Sequence, residues 1–233
     1  MSTTSPVFIL LTALLSACER RSTHADLQLE TEDDRTLYAL GTQMGHSLLG
    51  VYPEEHEVEA LIQGMLDHAA GTPFPLDYEK YQALGPVFAR SRLQAEQTKL
   101  ESMAPHYLRL SENQPGTVKT PGGAIFTTLQ PGNEAVSTSG MVTMHYVGTL
   151  PDGVVFDSTY HRGIPAQLDL SRSQLPCWTE GFAYLHLGEK ARLVCPPDLA
   201  FGAAGFSPNV PPNAVVTYVV EVLPSNDTHF SNQ

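Results

Sequence analysis

Between Val142 and Val222 the chain reads as a succession of short strands, in which apolar residues alternate and the breaks fall at proline and glycine. Val142, Met144 and Tyr146 alternate with Thr143, His145 and Val147, the period of two of a half-buried strand. Pro151-Asp152-Gly153 then supplies a hairpin turn, with proline presetting φ and glycine accepting a positive φ. Val155 and Phe156 resume the strand, and the β-branched runs Ala191 to Cys195 and Ala214 to Leu223 add two more. The lone tryptophan, Trp178, follows Pro176, which suits the first position of a short helix. Strands, turns and one very short helix are therefore expected here.

The 233 residues suffice for one or two domains, and a hydrophobic content of 42% permits a packed core. A net charge of −12 argues against nucleic acid, whose phosphates attract lysine and arginine, and leaves no basic patch for anionic lipid. No Cys/His spacing resembles a zinc site, and the sequence implies neither metal nor cofactor.

The first residues differ in kind. Val7 to Leu15 is an apolar run too short to span a bilayer. It leads into Leu15-Ser16-Ala17-Cys18, which resembles the bacterial lipobox. Residues 1–17 then read as a lipoprotein signal peptide, with Cys18 lipidated and residues 18–32 a flexible tether. Residues 1–8 hold no lysine or arginine, so an ordinary signal peptide or an uncleaved anchor are the alternatives. Glu19, where aspartate would mark inner-membrane retention, points to a cell-envelope protein anchored in the outer membrane and facing the periplasm. In an oxidising compartment Cys177 and Cys195 can form a bridge. They can equally be two buried small hydrophobes.

Residues 33–114 read as helical. Asp33-Asp34 is an acidic helix start, followed by a stripe of Leu37, Leu40, Met44, Leu48 and Val51 that stops at Pro53. A second stripe, Val58, Leu61, Ile62, Met65, Leu66 and Ala69, ends at Gly71 and Pro73. Asp77 caps a third helix reaching toward Ser111. Kinks or breaks are expected at Pro86 and Pro105, each lacking a backbone donor, with a helix start near Pro86, where it costs little, as the alternative there. The charged section Arg90 to Glu101 has only Leu93 and Leu100 as large apolar residues, so a long solvent-exposed helix is expected. Thr117 to Gln130 reads as the opening strand of the next domain, turning at Gly122-Gly123. Residues 225–233 form a polar tail.

The blocks HYVGTLPDGVVFDS, WTEG, PPDLAFGAAG and PPNAVVTYVVEVL, in that order, resemble the catalytic domain of the FKBP-type peptidyl-prolyl cis-trans isomerases. GTQMGHSL, ALIQGMLDHAAG and YLRLSENQPG extend the resemblance to the exported bacterial Mip/FkpA-like group. The resemblance implies an α+β protein: a helical dimerisation segment with a long connecting helix, then over residues 115–224 a twisted antiparallel sheet wrapped around a short helix. It implies a V-shaped homodimer through residues 33–72; the alternative is a monomer packing its own stripes. Two short helices have little core of their own, and small domains often gain stability by oligomerising.

The resemblance also assigns the site. Tyr146, Phe156, Trp178 and Tyr218 match the aromatic walls, Asp157 the acid beside the substrate carbonyl, and Arg162 its basic partner. Phe201 completes the catalytic set; Gln174, Leu175, Phe206 and Val210 line the substrate with Arg162. Several of these depart from the family pattern. Phe201 replaces a tyrosine whose hydroxyl bonds the ligand, a loss of ~0.5–1.5 kcal/mol. Gln174-Leu175 stands for Val-Ile, Cys177 for glycine, and Ala166 for the phenylalanine of some members, while Phe206 occupies a position often polar. These departures bear on macrolide affinity and catalytic efficiency more than on fold. Read without the resemblance, each aromatic is a core residue, Asp157 a turn-capping carboxylate, and Asp157–Arg162 a surface ion pair worth ~0–1 kcal/mol.

The implied activity is isomerisation of X-Pro bonds in unfolded or partly folded exported polypeptides. The alternative is a chaperone of the same fold with little turnover. A serine-hydrolase reading of Ser158, His161 and Asp157 fails, because three residues in one loop with no nucleophile elbow do not make a triad. His145, His161 and His186 are isolated, which suits strand or surface residues rather than metal ligands.

Overall fold

The alternating stretch folds as the sheet it predicts. The computed structural model describes residues 28–135, 141–169, 172 and 175–223. The signal segment, Cys18, the tether up to residue 27, Gln174 and the tail from residue 225 lie outside the described residues. The chain forms two compact units, residues 1–45 and 46–233.

In the amino-terminal unit the main described element is helix α1, Glu32–Ser47, which begins in this unit and has no buried residue. The second unit starts with a 3₁₀ turn at Leu49–Val51, so Val51 leaves the first helix before Pro53 does. Helix α2 follows, Glu55–Ala70, closed by Gly71 in the left-handed region at φ 66°, as a helix-ending glycine favours. Helix α3, Tyr78–Glu112, is capped by Asp77, whose side chain accepts from the Lys80 amide. No helix among the described residues is long and apolar enough to cross a membrane.

One expectation for α3, a break at its prolines, is corrected. The helix runs unbroken through both Pro86 and Pro105. Each proline removes one donor, but the carbonyls left over belong to the exposed Gln82 and Glu101, where water can satisfy them. The helix is long and largely exposed, as expected, with Leu100, 1% exposed, as the residue by which its charged section joins the main core. Beyond it, Ala104, Tyr107 and Leu108 pack on Ile125, Val194 and Val215. The Tyr107 and Thr217 hydroxyls lie 2.8 Å apart.

The sheet contains β1 (Thr117–Lys119), β2 (Ile125–Gln130), β3 (Met141–Thr149), β4 (Val155–Ser158), β5 (Ala166–Asp169), β6 (Lys190–Cys195) and β7 (Val216–Val222). All pairings are antiparallel, in the order β1-β2-β6-β7-β3-β4, with β5 also on β3. Along β3, Val142, Met144 and Tyr146 are buried while Thr143, His145 and Val147 are only partly so, the alternation of a pleated strand. Neighbours on β2 and β6 divide between two faces. Phe126 and Leu193 join one core; Ile125 and Val194 meet α3 on the other. The α+β architecture, helices followed by an antiparallel sheet around a short helix, is as expected.

That short helix is α5, Pro176–Phe182, with proline in its first turn and Cys177, Trp178, Gly181 and Phe182 buried. Full burial of a side chain such as Phe182 is worth roughly 1.5–3 kcal/mol, a large share of what holds so short a helix in place. Cys177 and Cys195 are joined in a disulfide, Cα–Cα 5.7 Å, which decides between the two alternatives left open by the sequence.

Candidate functional site

Tyr218, on β7, is the hub of an aromatic cluster. Its ring centroid lies 4.9 Å from Trp178, 5.7 Å from Phe156 and 5.9 Å from Tyr146, and Tyr146 and Trp178 are 5.3 Å apart. All four pairs are edge-to-face, with interplanar angles from 74° to 83°, the arrangement that suits ring quadrupoles. Three strands and a helix converge to make it: β3 brings Tyr146, β4 Phe156, β7 Tyr218 and α5 Trp178. The approach of Phe156 depends on Gly148. A Cβ there would sit 2.6 Å from the Phe156 Cζ, so only glycine lets the ring lie across β3.

The cluster opens toward solvent on one side. Phe201, half-buried, meets Phe156 edge-on at 6.1 Å. Phe206 stacks on Phe201 at 5.3 Å and is 52% exposed. Val210, 2% exposed, is tied to Phe206 by two backbone bonds, Phe206 N–H to Val210 O at 2.8 Å and Val210 N–H to Phe206 O at 2.7 Å. Leu175, half-buried, stands at the start of α5. Ala166 pairs with Met144 across β3 and β5. Gln174 lies outside the described residues. An apolar wall thus runs from buried rings outward to an exposed one.

The polar groups are interlocked. Alternation on β4 sends Phe156 inward and Asp157 to the half-exposed side. Tyr146 OH donates to Asp157 Oδ2 at 2.5 Å, and Arg162 Nη2 donates to the Tyr146 oxygen at 3.1 Å. Arg162 Nη1 bonds the other carboxylate oxygen of Asp157, and its guanidinium lies 5.7 Å from the Tyr146 ring centroid. Arg162 is aimed by a four-residue helix, α4 (Thr159–Arg162), capped by Ser158 and closed by Gly163. Burial, then the bond to Asp157, raises the Tyr146 hydroxyl above its ordinary range. Burial also pushes Tyr218 up. Both phenols therefore stay protonated well above neutral pH.

Three contributors escaped the sequence reading. Thr159 Oγ1 takes the Tyr146 N–H at 2.8 Å, returns a bond to the Tyr146 carbonyl at 3.1 Å and lies 3.0 Å from His145 Nδ1. Asn209, buried, donates from Nδ2 to the Phe156 carbonyl at 3.1 Å. Tyr52, from the helix connection, packs on the same core. Nothing in their sequence neighbourhood marks them; a threonine after a strand and an asparagine in a Pro-rich loop read as turn residues.

The arrangement offers four buried rings, an exposed ring beyond them and a phenol–carboxylate–guanidinium triplet already bonded internally. It has no activated nucleophile: Ser158 Oγ accepts the His161 N–H as a cap. Among the described residues no three histidine, cysteine, aspartate or glutamate side chains gather as a metal site would need.

Residues 132–223 match the model of the family described as FKBP-type peptidyl-prolyl cis-trans isomerase. The chain is similar to the FKBP-type peptidyl-prolyl cis-trans isomerase FkpA of Escherichia coli, 30% identical over 83% of this chain and 76% of that one. It is similar at 30% identity to the FKBP-type 22 kDa peptidyl-prolyl cis-trans isomerase of the same organism, over 83% of this chain and 96% of that one. FK506-binding protein 1 of Rhizopus delemar is 44% identical, covering 45% of this chain and 99% of its own. The crystal structure of FkpA from Escherichia coli aligns with a TM-score of 0.52 at 30% identity, over 84% of this chain and 98% of that one.

Proposed function

Since the chain belongs to the FKBP-type peptidyl-prolyl cis-trans isomerases, we propose that its aromatic cluster receives the X-Pro segment of exported polypeptides and speeds their folding. The observation that carries this reading is the convergence of Tyr146, Phe156, Trp178 and Tyr218 on one hub, with Phe201 and Phe206 leading outward.

The chemistry needs no more than this. An X-Pro bond turns slowly because amide resonance must be lost, a barrier of roughly 18–20 kcal/mol. The planar amide is more charge-separated than the twisted one. A floor of buried rings that excludes water disfavours the planar form relative to the twisted one, and each ~1.4 kcal/mol of that discrimination gives about tenfold in rate. Trp178 forms the floor against which the proline ring rests. Asp157, held by Tyr146 and Arg162, faces the substrate carbonyl region as a fixed charge. Leu175, Phe206 and Val210 hold the flanking residues.

In this reading residues 115–224 are the isomerase domain and residues 33–114 the dimerisation segment and connecting helix. Cys18 carries the lipid that holds the protein in the cell envelope. Metabolic labelling with palmitate, lost in Cys18→Ser, checks that anchor.

A protease-coupled assay on a proline tetrapeptide tests the activity. Turnover well above buffer is expected, and Phe156→Ala and Asp157→Ala should each lower it while leaving the far-ultraviolet dichroism unchanged. Unaltered turnover in both variants would falsify the pocket assignment. A second reading, a chaperone with little turnover, is favoured by the exposed Phe206 and by the absence of a hydroxyl on Phe201. Suppressed aggregation with turnover equal to buffer would establish it.

A further inference from the structure

We infer that the Cys177–Cys195 disulfide is a positioning device for Trp178, fixing the indole that floors the pocket; the inference rests on the isomerase reading above. Cys177 directly precedes Trp178 in α5, and Cys195 is the last residue of β6. Cys195 pairs with Val216 and Val194 with Thr217, so the bond ties the floor helix to strands that flank Tyr218.

The cross-link lies at the start of that helix. The helix is seven residues long, and its first turn is closed by the Trp178 and Thr179 amides donating to the Leu175 carbonyl at 3.0 and 3.3 Å. A helix of this length is not stable by itself. Its far end is held by close approach: a Cβ on Gly181 would lie 2.6 Å from both Leu193 methyls, so the backbone rests on β6 there. The indole N–H of Trp178 is buried and has no hydrogen-bond partner among the described residues, so none of those residues orients the ring by a polar contact. It is oriented by packing on Tyr146, Phe182 and Tyr218 and by the covalent link one residue away.

The same bond acts beyond the floor. After Cys195 the chain passes through Pro196 into a 3₁₀ turn, Pro197–Leu199, and reaches Phe201. Floor and rim therefore hang from one cross-link. Both cysteines are 0% exposed, so a reductant, which must deliver two electrons and two protons to give the thiols, reaches the bond only when α5 opens. A double substitution removes it cleanly.

Trp178 is the only tryptophan of the chain, so indole emission reports the pocket floor alone. The test compares the wild-type protein with Cys177→Ala/Cys195→Ala under conditions where circular dichroism shows both folded. The variant is expected to show red-shifted emission and greater quenching by acrylamide. Its kcat/KM on the tetrapeptide should fall about tenfold, since a 1 Å misplacement can cost on the order of 100-fold. A lower melting temperature with unchanged acrylamide quenching and unchanged kcat/KM would overturn the proposal, leaving the bond a staple only. If the variant does not fold, the readings are repeated in sucrose, which strengthens burial; failure to fold there also overturns it, because the bond would then be a requirement of the fold. A wild-type protein without turnover sinks the isomerase reading instead, and the acrylamide comparison, which needs no substrate, still decides whether the bond positions the indole.

Discussion

Phe201 differs by one oxygen from the tyrosine common at its place in the family. Its ring is half-buried, edge-on to Phe156 and stacked on Phe206, at the boundary between floor and rim. The ring is only partly buried, so it is not enclosed by core on every side. In the reading that the aromatic cluster receives a macrolide, Phe201→Tyr should leave stability within about 0.5 kcal/mol and tighten that binding by ~0.5–1.5 kcal/mol, one neutral hydrogen bond, which titration calorimetry reads directly. Unchanged affinity would mean that the para position of this ring does not face the ligand. Single residues were legible from the sequence where side-chain type and an ordered motif coincide. Tyr146, Asp157 and Arg162 come together in one bonded triplet, and the four aromatics share one hub. Thr159 and Asn209 were not legible, because a short polar side chain acquires its role only from register. Thr159 serves Tyr146 through both its backbone N–H and its carbonyl, and touches His145 besides, because the helix start after β4 falls opposite β3.

Among the elements, the strands announced themselves through the period of two, and the hairpin at Pro151-Asp152-Gly153 through its turn residues. Helix α3 was harder. A proline rule assumes that the lost donor matters, and at the solvated Gln82 and Glu101 carbonyls it does not. Leu100 looked like an isolated apolar residue because its partners are far along the chain. The joint between α3 and that hairpin is electrostatic as well. Lys99 Nζ lies 2.5 Å from Asp152 Oδ2 and 3.1 Å from Glu96 Oε1. Burial pushes the Asp152 carboxyl up, but bonds from Lys99 and the Val154 N–H outweigh it and leave the group below its ordinary range. Burial, reinforced by Asp152, raises Glu96. The signs follow from linkage. Asp152, depressed in the fold, stabilises above its unfolded pKa, and that contribution fades as pH drops through the folded value. Glu96, raised, does the reverse: its ionisation costs stability once pH climbs through the folded value. At neutral pH Asp152→Asn should thus lower the urea unfolding free energy by about 1 kcal/mol, and Glu96→Gln should hold or raise it by up to about 1 kcal/mol. The Asp152→Asn deficit should vanish in acid. A Glu96→Gln protein clearly less stable than wild type at neutral pH would refute this account of the joint.

Assembly is where the apolar residues left over by the fold have to be accounted for. Helix α1 exposes Leu37, Leu40 and Met44, and α2 exposes Ile62, Met65 and Leu66, each by roughly half or more of its surface. Neither helix buries a residue. Apolar surface left in water forgoes about 25 cal/mol per Å², and contiguous stripes of this kind mark interaction surfaces rather than ordinary exterior. The stripes were legible in the sequence as amphipathic periods, but what covers them was not, because a period of 3.6 fixes which face seeks burial and says nothing of the partner. A second copy of the chain is the occupant implied by the resemblance to the exported isomerases, through residues 33–72. An isologous contact repeats each stripe residue twice, so one substitution acts on both sides of the interface. Ile62→Glu or Met65→Glu should accordingly convert a dimer to a monomer, halving the mass read by light scattering. Tetrapeptide turnover per chain should stay the same, because the aromatic cluster is built entirely from residues beyond 140. A wild-type protein that is monomeric at every concentration tested would leave the stripes to some other partner and end the case for self-association.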